Sequence, residues 1–160
     1  MNVNPDFNLW GKIKAEFEGC ELVAYKDTGG VWTIGFGTTY LYDKQRKVKS
    51  GDAITMADAV RYMQHDAQEV VRQANAYIKK PLNEAQSTAI CDYIYNRGVG
   101  NFLKTQLDEL INNNPNDANI GKEIRGTGLK DRLGNLLKGL VRRRNCEAYL
   151  YETGQLRFKF

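Results

Sequence analysis

Residues 18–39 read EGCELVAYKDTGGVWTIGFGTT, and this stretch decides how the chain is expected to fold. β-Branched and aromatic residues lie on both sides of residues 28–30 (TGG), which predicts a small hairpin or a three-stranded sheet with its turn at these glycines. Glu18 is expected to end a helix, Asp27 to end the first strand, and Thr33 to lie on the returning strand. The stretch therefore predicts that three oxygen-bearing side chains meet across one cleft.

Both flanks of this stretch have the periodicity of helices. Apolar residues spaced three or four apart predict one helix over about residues 6–18 and a long helix over about residues 56–74. Thr55, followed three residues later by Asp58, predicts a capping box at the start of the long helix. The polar segment 43–52 (DKQRKVKSGD) predicts a loop that joins two lobes.

The second half of the chain shows helical patterns only. Asn83 is a good N-cap for a helix that the glycines of residues 96–101 (NRGVGN) should end. Further helices are predicted over about residues 103–111, 116–125 and 133–141, although Gly134 and Gly139 weaken the last pattern. Because the strands are segregated from the helices, the sequence predicts an α+β fold.

The length and composition are those of one soluble globular domain. The chain has 160 residues, 42% hydrophobic and 26% charged, which excludes a disordered tail and a multi-domain assembly. We expect a single domain with a β lobe over about residues 20–54 and a helical lobe over about residues 76–160, completed by helix 6–18 and joined by the long helix. Three cysteines without a Cys-x-x-Cys pair predict free thiols.

The positive charge is concentrated in one segment. The whole chain carries +4, whereas residues 122–147 hold eight basic and three acidic residues, a net +5. A basic surface attracts polyanions, and nucleic acid, an anionic membrane and the bacterial cell wall are all compatible with it. The basic residues are Lys122, Arg125, Lys130, Arg132, Lys138, Arg142, Arg143 and Arg144.

Two carboxyl groups that face each other are what acetal hydrolysis requires. The leaving oxygen needs a proton from a carboxylic acid, and the opposite face of the sugar needs a carboxylate that activates water. A helix end with aromatic surroundings favours a protonated Glu18, and an open hairpin favours an ionised Asp27. Thr33 can orient a water molecule. Each residue alone is more often a surface charge, a turn former or a strand residue, so only the combination favours this chemistry.

The same stretch resembles a known family. Its pattern E-G-x-x-L-x-A-Y-x-D-x-x-G-x-W-T-I-G-x-G-T is similar to the signature of phage-type lysozymes, glycoside hydrolase family 24. Residues 93–102 (YIYNRGVGNF) and 139–147 (GLVRRRNCE) resemble two later segments of that family. The resemblance implies a two-lobed lysozyme fold that cleaves the β-1,4 bond between N-acetylmuramic acid and N-acetylglucosamine in peptidoglycan. It implies catalytic roles for Glu18, Asp27 and Thr33, with inversion at the sugar carbon.

The resemblance also implies contacts outside the hairpin. It places Tyr95 and Asn96 along the sugar groove and matches Thr105 to a small hydroxyl position on the groove wall. The alternatives are core packing for Tyr95 and a helix cap for Asn96. Arg143 or Arg144 is implied to pair with a carboxylate behind the catalytic glutamate.

Two positions depart from the family pattern. Thr38 stands where many relatives have histidine, so any ion pair made by that histidine would be absent. Residues 125–127 (RGT) replace a common Arg-Trp pair ahead of the last helix, and contacts from that wall of the groove are expected to differ.

The resemblance implies an endolysin that works as a monomer on bacterial peptidoglycan, with no cofactor and no metal. The first residues contain no apolar run long enough for a signal peptide or an anchor. We therefore expect the protein in the host cytoplasm, without stable membrane insertion, and released to the periplasm and cell wall by a separate holin. The alternatives are a chitin-oligomer hydrolase of the same fold and a non-catalytic peptidoglycan-binding module. Nucleic acid is not an expected partner, because the basic segment lacks a recognition-helix motif.

Overall fold

A computed structural model describes residues 1–131 and 133–160. The strands come early and the later part is helical, which confirms the predicted α+β class. The strands are β1 Glu21–Lys26, β2 Trp32–Gly35, β3 Tyr40–Leu41 and β4 Arg46–Lys47. The helices are α1 Phe7–Phe17, α2 Met56–Tyr77, α3 Glu84–Arg97, α4 Val99–Phe102, α5 Leu107–Asn113, α6 Ala118–Gly126 and α7 Lys138–Thr153.

The chain divides into two compact units. Residues 12–69 form one, which we call the sheet unit, and residues 1–11 with 70–160 form the other, which we call the helical unit. Helices α1 and α2 each contribute residues to both. Within the described ranges, no helix has the length and apolar character needed to cross a membrane.

The sheet unit is built on the predicted hairpin. Strands β1 and β2 are antiparallel, with Tyr25 opposite Thr33 and a register shift earlier in β1. The structure adds a second two-stranded sheet, β3 with β4, where the sequence predicted one hairpin or a three-stranded sheet. On the other edge of β1, Val23 forms an isolated bridge with Ala53. The apolar core beneath contains Ile34, Leu41, Val48 and Tyr62.

The prediction that residues 43–52 form only a loop is wrong. This segment contains β4 and part of a short 3-10 helix, Tyr42–Lys44. Its polar side chains bond to each other: Arg46 donates two hydrogen bonds to the carboxylate of Asp52, at 2.7 and 2.8 Å. Tyr62 of α2 donates to Asp43 at 2.5 Å. A segment whose polar composition predicts a loop is therefore an ordered hairpin, stabilised by charge-assisted hydrogen bonds.

The predicted helix starts are confirmed by their hydrogen bonds. Asn83 and Gln86 form a complete capping box at the start of α3. Thr55 and Asp58 exchange side-chain bonds to backbone N–H groups at 3.1 and 3.2 Å before α2. Gly98, with φ of +80°, ends α3 as expected, but the next four residues form the short helix α4.

The predicted helix over residues 133–141 is wrong in its first half, because α7 begins only at Lys138. The Asp131 carboxylate accepts hydrogen bonds from the N–H groups of Leu133 and Asn135, at 2.8 and 2.9 Å. A short polar side chain that bonds nearby backbone competes with helix formation, and Gly134 adopts φ of +84° in the turn. The leucine spacing thus belongs to a turn and not to a buried helix face.

Candidate active site

Glu18 lies directly after α1. Its N–H donates to the carbonyl of Lys14 at 2.8 Å, so it extends the last helical turn by one residue. Gly19 follows with φ of +68°, a left-handed conformation that side chains rarely adopt. This glycine turns the chain from α1 into β1 and leaves Glu18, which is half-buried, at the junction.

Asp27 is fixed by the turn that it begins. Its Oδ1 accepts hydrogen bonds from the N–H groups of Gly29 and Val31, at 2.9 and 2.8 Å, and its own N–H donates to the Val31 carbonyl at 3.0 Å. Asp side chains commonly bond backbone two residues on in such turns. One carboxylate oxygen is therefore held by the hairpin, and within the described residues Oδ2 makes no hydrogen bond.

Thr33 lies on β2 and is buried. Its Oγ1 donates to the Val31 carbonyl at 3.0 Å, so the hydroxyl proton is already used. A hydroxyl also carries two acceptor lone pairs, and these remain for an external donor such as water. Val31 thus contacts both Asp27 and Thr33 through its backbone, which couples the positions of the two side chains.

Tyr25 lies on β1, the strand that connects Glu18 to Asp27. Its Cα lies opposite that of Thr33. Burial raises the pKa of its phenol first, and the negative charges of Glu18, Asp27 and Glu21 raise that pKa further, in this order. The sequence prediction omitted Tyr25 as a site residue, although strand alternation places it on the same face as Asp27.

An open groove of about 260 Å³ lies in the sheet unit, and its lining includes Val31 and Trp32 but not Glu18, Asp27 or Thr33. The Trp32 ring contributes to its wall, with the ammonium of Lys26 5.5 Å from the ring centroid. Aromatic faces beside polar groups suit sugar rings, which have apolar faces and hydroxyl edges. The groove is lined by Val31, Trp32, Thr39, Tyr40, Lys47 and Val48.

Thr38, one of the two positions that depart from the family pattern, contacts a carboxylate through a neutral hydrogen-bond donor. Its hydroxyl donates to Asp66 Oδ2 at 3.0 Å, and the phenol of Tyr42 donates to Oδ1 at 2.6 Å. Burial raises the pKa of Tyr42 above its ordinary value, and the bond to Asp66 raises it further, so the phenol keeps its proton. Two hydroxyl donors therefore satisfy Asp66.

The helical unit holds the three residues predicted to bind substrate. Tyr95 is half-buried and packs edge-on against Trp10, with ring centroids 6.2 Å apart. Asn96 Oδ1 accepts a hydrogen bond from Arg144 Nη2 at 3.0 Å. The alternative that Asn96 caps the helix is wrong, because the N–H of Gly98 closes α3.

Thr105 has a local role in the structure. Its hydroxyl donates to the carbonyl of Phe102 at 2.6 Å and accepts from the N–H of Leu107 at 3.1 Å, at the start of α5. Both bonds are typical of a hydroxyl residue at a helix entry. Contact with a sugar stays a prediction for this residue.

Arg143 and Arg144 belong to a buried ion cluster of the helical unit. Arg143 binds both carboxylate oxygens of Asp92, at 2.8 and 2.9 Å, and Arg144 donates to Glu147 at 2.5 Å. Burial raises the pKa of Glu147 well above its ordinary value. The sequence prediction missed Asp92, although a single acid inside an apolar run signals a buried, paired charge.

The basic segment is consequently less exposed than its composition suggests. Arg143 and Arg144 are buried, and Arg125 pairs with Glu152 at 2.6 Å. Arg132 lies outside the described residues. Among the residues that are described, no three His, Cys, Asp or Glu side chains come together as metal ligands.

Comparisons with known proteins agree on one family. Residues 15–147 match the family model described as phage lysozyme. The endolysin of Acyrthosiphon pisum secondary endosymbiont phage 1 is 30% identical over 138 residues, covering 86% of this chain and 90% of that protein. The SAR-endolysin of Enterobacteria phage PA-2 is 31% identical over 138 residues, covering 86% of this chain and 79% of that protein.

Solved structures give the same result. An endolysin from Escherichia coli O157:H7 phage FAHEc1 superposes with a TM-score of 0.87 at 27% identity, covering 98% of both chains. A mutant of P22 lysozyme superposes with a TM-score of 0.79 at 28% identity, covering 93% of this chain and 98% of that one.

Proposed function

Because this chain belongs to the phage lysozyme family, it is a glycoside hydrolase that degrades bacterial peptidoglycan, and we propose that Glu18 is its catalytic acid and Asp27 its catalytic base. The observation that carries this proposal is geometric: Glu18 closes the last turn of α1, and the hairpin that follows fixes Oδ1 of Asp27 through the N–H groups of Gly29 and Val31. Acetal hydrolysis needs two such groups at one site, one to protonate the leaving oxygen and one to activate water.

In the proposed reaction Glu18 gives its proton to the glycosidic oxygen while the bond from that oxygen to the anomeric carbon breaks. Asp27 accepts a proton from a water molecule, whose oxygen forms the new bond to the anomeric carbon. The glycan is thereby cut in two. The sugar that was attacked carries a new hydroxyl group at its anomeric carbon and becomes a reducing end, and the leaving sugar keeps the glycosidic oxygen as a hydroxyl group. This route inverts the anomeric carbon and requires room for water, about 6.5–9.5 Å between carboxyl groups in inverting enzymes.

The hairpin supports the role of Asp27. Two backbone N–H groups bind its Oδ1, which fixes the carboxylate plane before substrate arrives. A base held in this way loses little free energy on ordering during reaction. Thr33 donates its hydroxyl proton to the Val31 carbonyl, and in the proposed reaction its lone pairs accept a hydrogen bond from the attacking water.

Substrate contacts are proposed for Tyr95 and Asn96 as well. Because Arg144 donates to Oδ1 of Asn96, we assign the substrate contact to the NH₂ group of the amide. That group is a donor and matches the carbonyl of an N-acetyl substituent. Thr105 is the weaker proposal, since its hydroxyl already makes two local bonds.

The biological setting follows from the family. An endolysin acts on the cell wall at lysis, and the named relatives are endolysins. We further propose that the protein is monomeric, accumulates in the host cytoplasm and depends on a separate holin for release to the periplasm.

Product analysis tests the activity. Purified peptidoglycan and chitin oligomers are digested side by side, and new reducing ends are identified by mass spectrometry. The proposal expects reducing N-acetylmuramic acid from peptidoglycan and much slower release from chitin. Faster turnover of chitin than of peptidoglycan would show that the protein is a chitin-oligomer hydrolase. Tight peptidoglycan binding without any new reducing ends would show that it is a non-catalytic module.

A further inference from the structure

The turn before α7 exposes three large apolar side chains within five residues. Leu133 is 87% exposed, Leu136 60% and Leu137 42%. Single exposed leucines are ordinary on protein surfaces, but a concentration of them marks a contact surface. The catalytic proposal uses none of these residues.

This turn is an ordered hairpin. Lys130 and Leu136 form an isolated antiparallel bridge, the N–H of Asp131 donates to the Asn135 carbonyl at 3.0 Å, and the N–H of Leu137 donates to the Leu129 carbonyl at 3.0 Å. The Asp131 carboxylate also accepts hydrogen bonds from the N–H groups of Leu133 and Asn135 in this turn. Since these bonds fix the backbone, little conformational entropy is lost when the leucines are buried by a partner.

Basic side chains flank the exposed leucines. Lys130 and Lys138 stand on the two sides of the hairpin and are exposed, as is Arg142 one turn further along α7. The acid in this segment is Asp131, and backbone N–H bonds from Asn135 and Leu133, together with the Asn135 side chain, lower its pKa. Exposed leucines between two lysines are complementary to a surface that has negative charges on the outside and an apolar layer beneath them.

We propose that the described residues 129–131 and 133–138, which we call the leucine hairpin, bind the interface of an anionic phospholipid bilayer. Leu133 and Leu136 enter the region between headgroups and acyl chains, while Lys130 and Lys138 contact the phosphates. Peripheral proteins use the same combination of apolar insertion and cationic attraction. The hairpin lies on the interface and does not span the bilayer. The proposal is independent of the catalytic assignment, because it rests on none of the residues assigned to catalysis or to substrate binding.

Co-sedimentation with lipid vesicles tests this surface on the full-length protein. Vesicles of equimolar phosphatidylethanolamine and phosphatidylglycerol are compared with vesicles of phosphatidylcholine alone, at low and high salt. The proposal expects binding to the anionic vesicles that weakens as salt rises, because screening reduces the attraction of Lys130 and Lys138. Binding to neither vesicle, or equal binding to both, overturns it.

Two variants locate the contact. Leu133→Ser with Leu136→Ser should weaken binding about tenfold or more, since two apolar side chains no longer enter the bilayer. Val60→Ser removes an exposed apolar side chain elsewhere and should change binding little. Unchanged vesicle binding in the double leucine variant contradicts the proposal.

The contribution of the lysines is tested with a second pair of variants and its own control. Lys130→Gln with Lys138→Gln should weaken binding and flatten its salt dependence, whereas Lys12→Gln with Lys104→Gln, which removes the same net charge from other exposed sites, should have a smaller effect. Turnover of soluble peptidoglycan fragments should stay normal in all these variants. If the leucine variant instead abolishes a concentration-dependent dimer seen by light scattering, and vesicles are not bound, the occupant is a second copy and the lipid proposal fails.

Discussion

At the scale of single residues, the turn of the first hairpin is fitted closely to Asp27. A Cβ atom added at Gly29 would lie 3.3 Å from Asp27 Oδ1, tighter than an ordinary contact. The space beside the carboxylate therefore favours glycine at position 29, and an added side chain would displace Asp27 by a few tenths of an ångström.

Gly29→Ala tests this fit. We expect kcat to fall about three- to tenfold with KM almost unchanged, because small misplacement of a catalytic group costs rate more than binding. Steady-state kinetics on soluble peptidoglycan fragments measure both constants. Gly139→Ala is the control, since nothing lies within 4 Å of a Cβ there. A kcat for Gly29→Ala equal to that of the control would show that the turn tolerates a side chain.

The residues themselves were predictable to different degrees. Glu18, Asp27 and Thr33 stand out because the stretch around them has a recognisable spacing of acids, glycines and strand residues. Tyr25 does not stand out, because a tyrosine in a strand has an adequate explanation in packing. The bond from Arg144 to Asn96 joins residues 48 positions apart, and no local pattern in one sequence reports such a contact.

At the scale of elements, an ion pair adds to apolar packing in the hairpin of β3 and β4. Arg46 of β4 binds Asp52, and the Lys49 N–H donates to the same carboxylate at 2.9 Å. These bonds hold the pKa of Asp52 well below its ordinary value. An acid whose pKa is lowered by folding stabilises the fold above its unfolded pKa, and this contribution is lost as the pH falls.

Asp52→Asn should therefore lower the free energy of unfolding by about 1–3 kcal/mol at neutral pH, as expected for hydrogen bonds to a charged group. The difference from wild type should shrink as the pH is lowered below 3.8, the ordinary pKa, toward the depressed one. Urea unfolding across this pH range measures it. Asp108→Asn should show a smaller difference, and a constant loss at every pH for Asp52→Asn would contradict the linkage.

The elements also show where a periodic pattern misleads. Helices α2 and α3 were predictable because capping residues and apolar spacing agree at their starts. Before α7 the leucine spacing indicates helix, while Asp131 and Gly134 favour a turn, and the turn forms. Apolar spacing predicts a helix only where its face finds something to pack against.

At the scale of the whole molecule, part of the basic charge stabilises the interior. Arg143 is 3% exposed and Asp92 is fully buried, and Trp10 of α1 donates its indole N–H to the same aspartate at 3.1 Å. A buried charge without its partner is far more costly than an exposed one. The number of basic residues in the segment 122–147 therefore overstates how many of them a polyanion would meet at the surface.

Arg143→Met should destabilise the protein by about 3–5 kcal/mol, because it leaves the Asp92 carboxylate buried without its main partner. Asp92→Asn combined with Arg143→Met should recover much of that loss, since the amide is neutral and still accepts from Trp10. Thermal and urea unfolding of both variants measure the difference. A double variant no more stable than the single one would show that the pair is not the source of the loss.

The central claim is that the glutamate at the end of α1 gives a proton to the glycosidic oxygen. The most direct measurement is reducing-end release from purified peptidoglycan by Glu18→Gln, with Glu21→Gln as the control that makes the same change at an exposed position of β1. We expect Glu18→Gln to lose about a hundredfold or more in kcat with its thermal unfolding unchanged, because an amide cannot act as the acid, and Glu21→Gln to stay near wild type. Near-normal turnover by Glu18→Gln, or an equal loss in Glu21→Gln, would contradict the assignment.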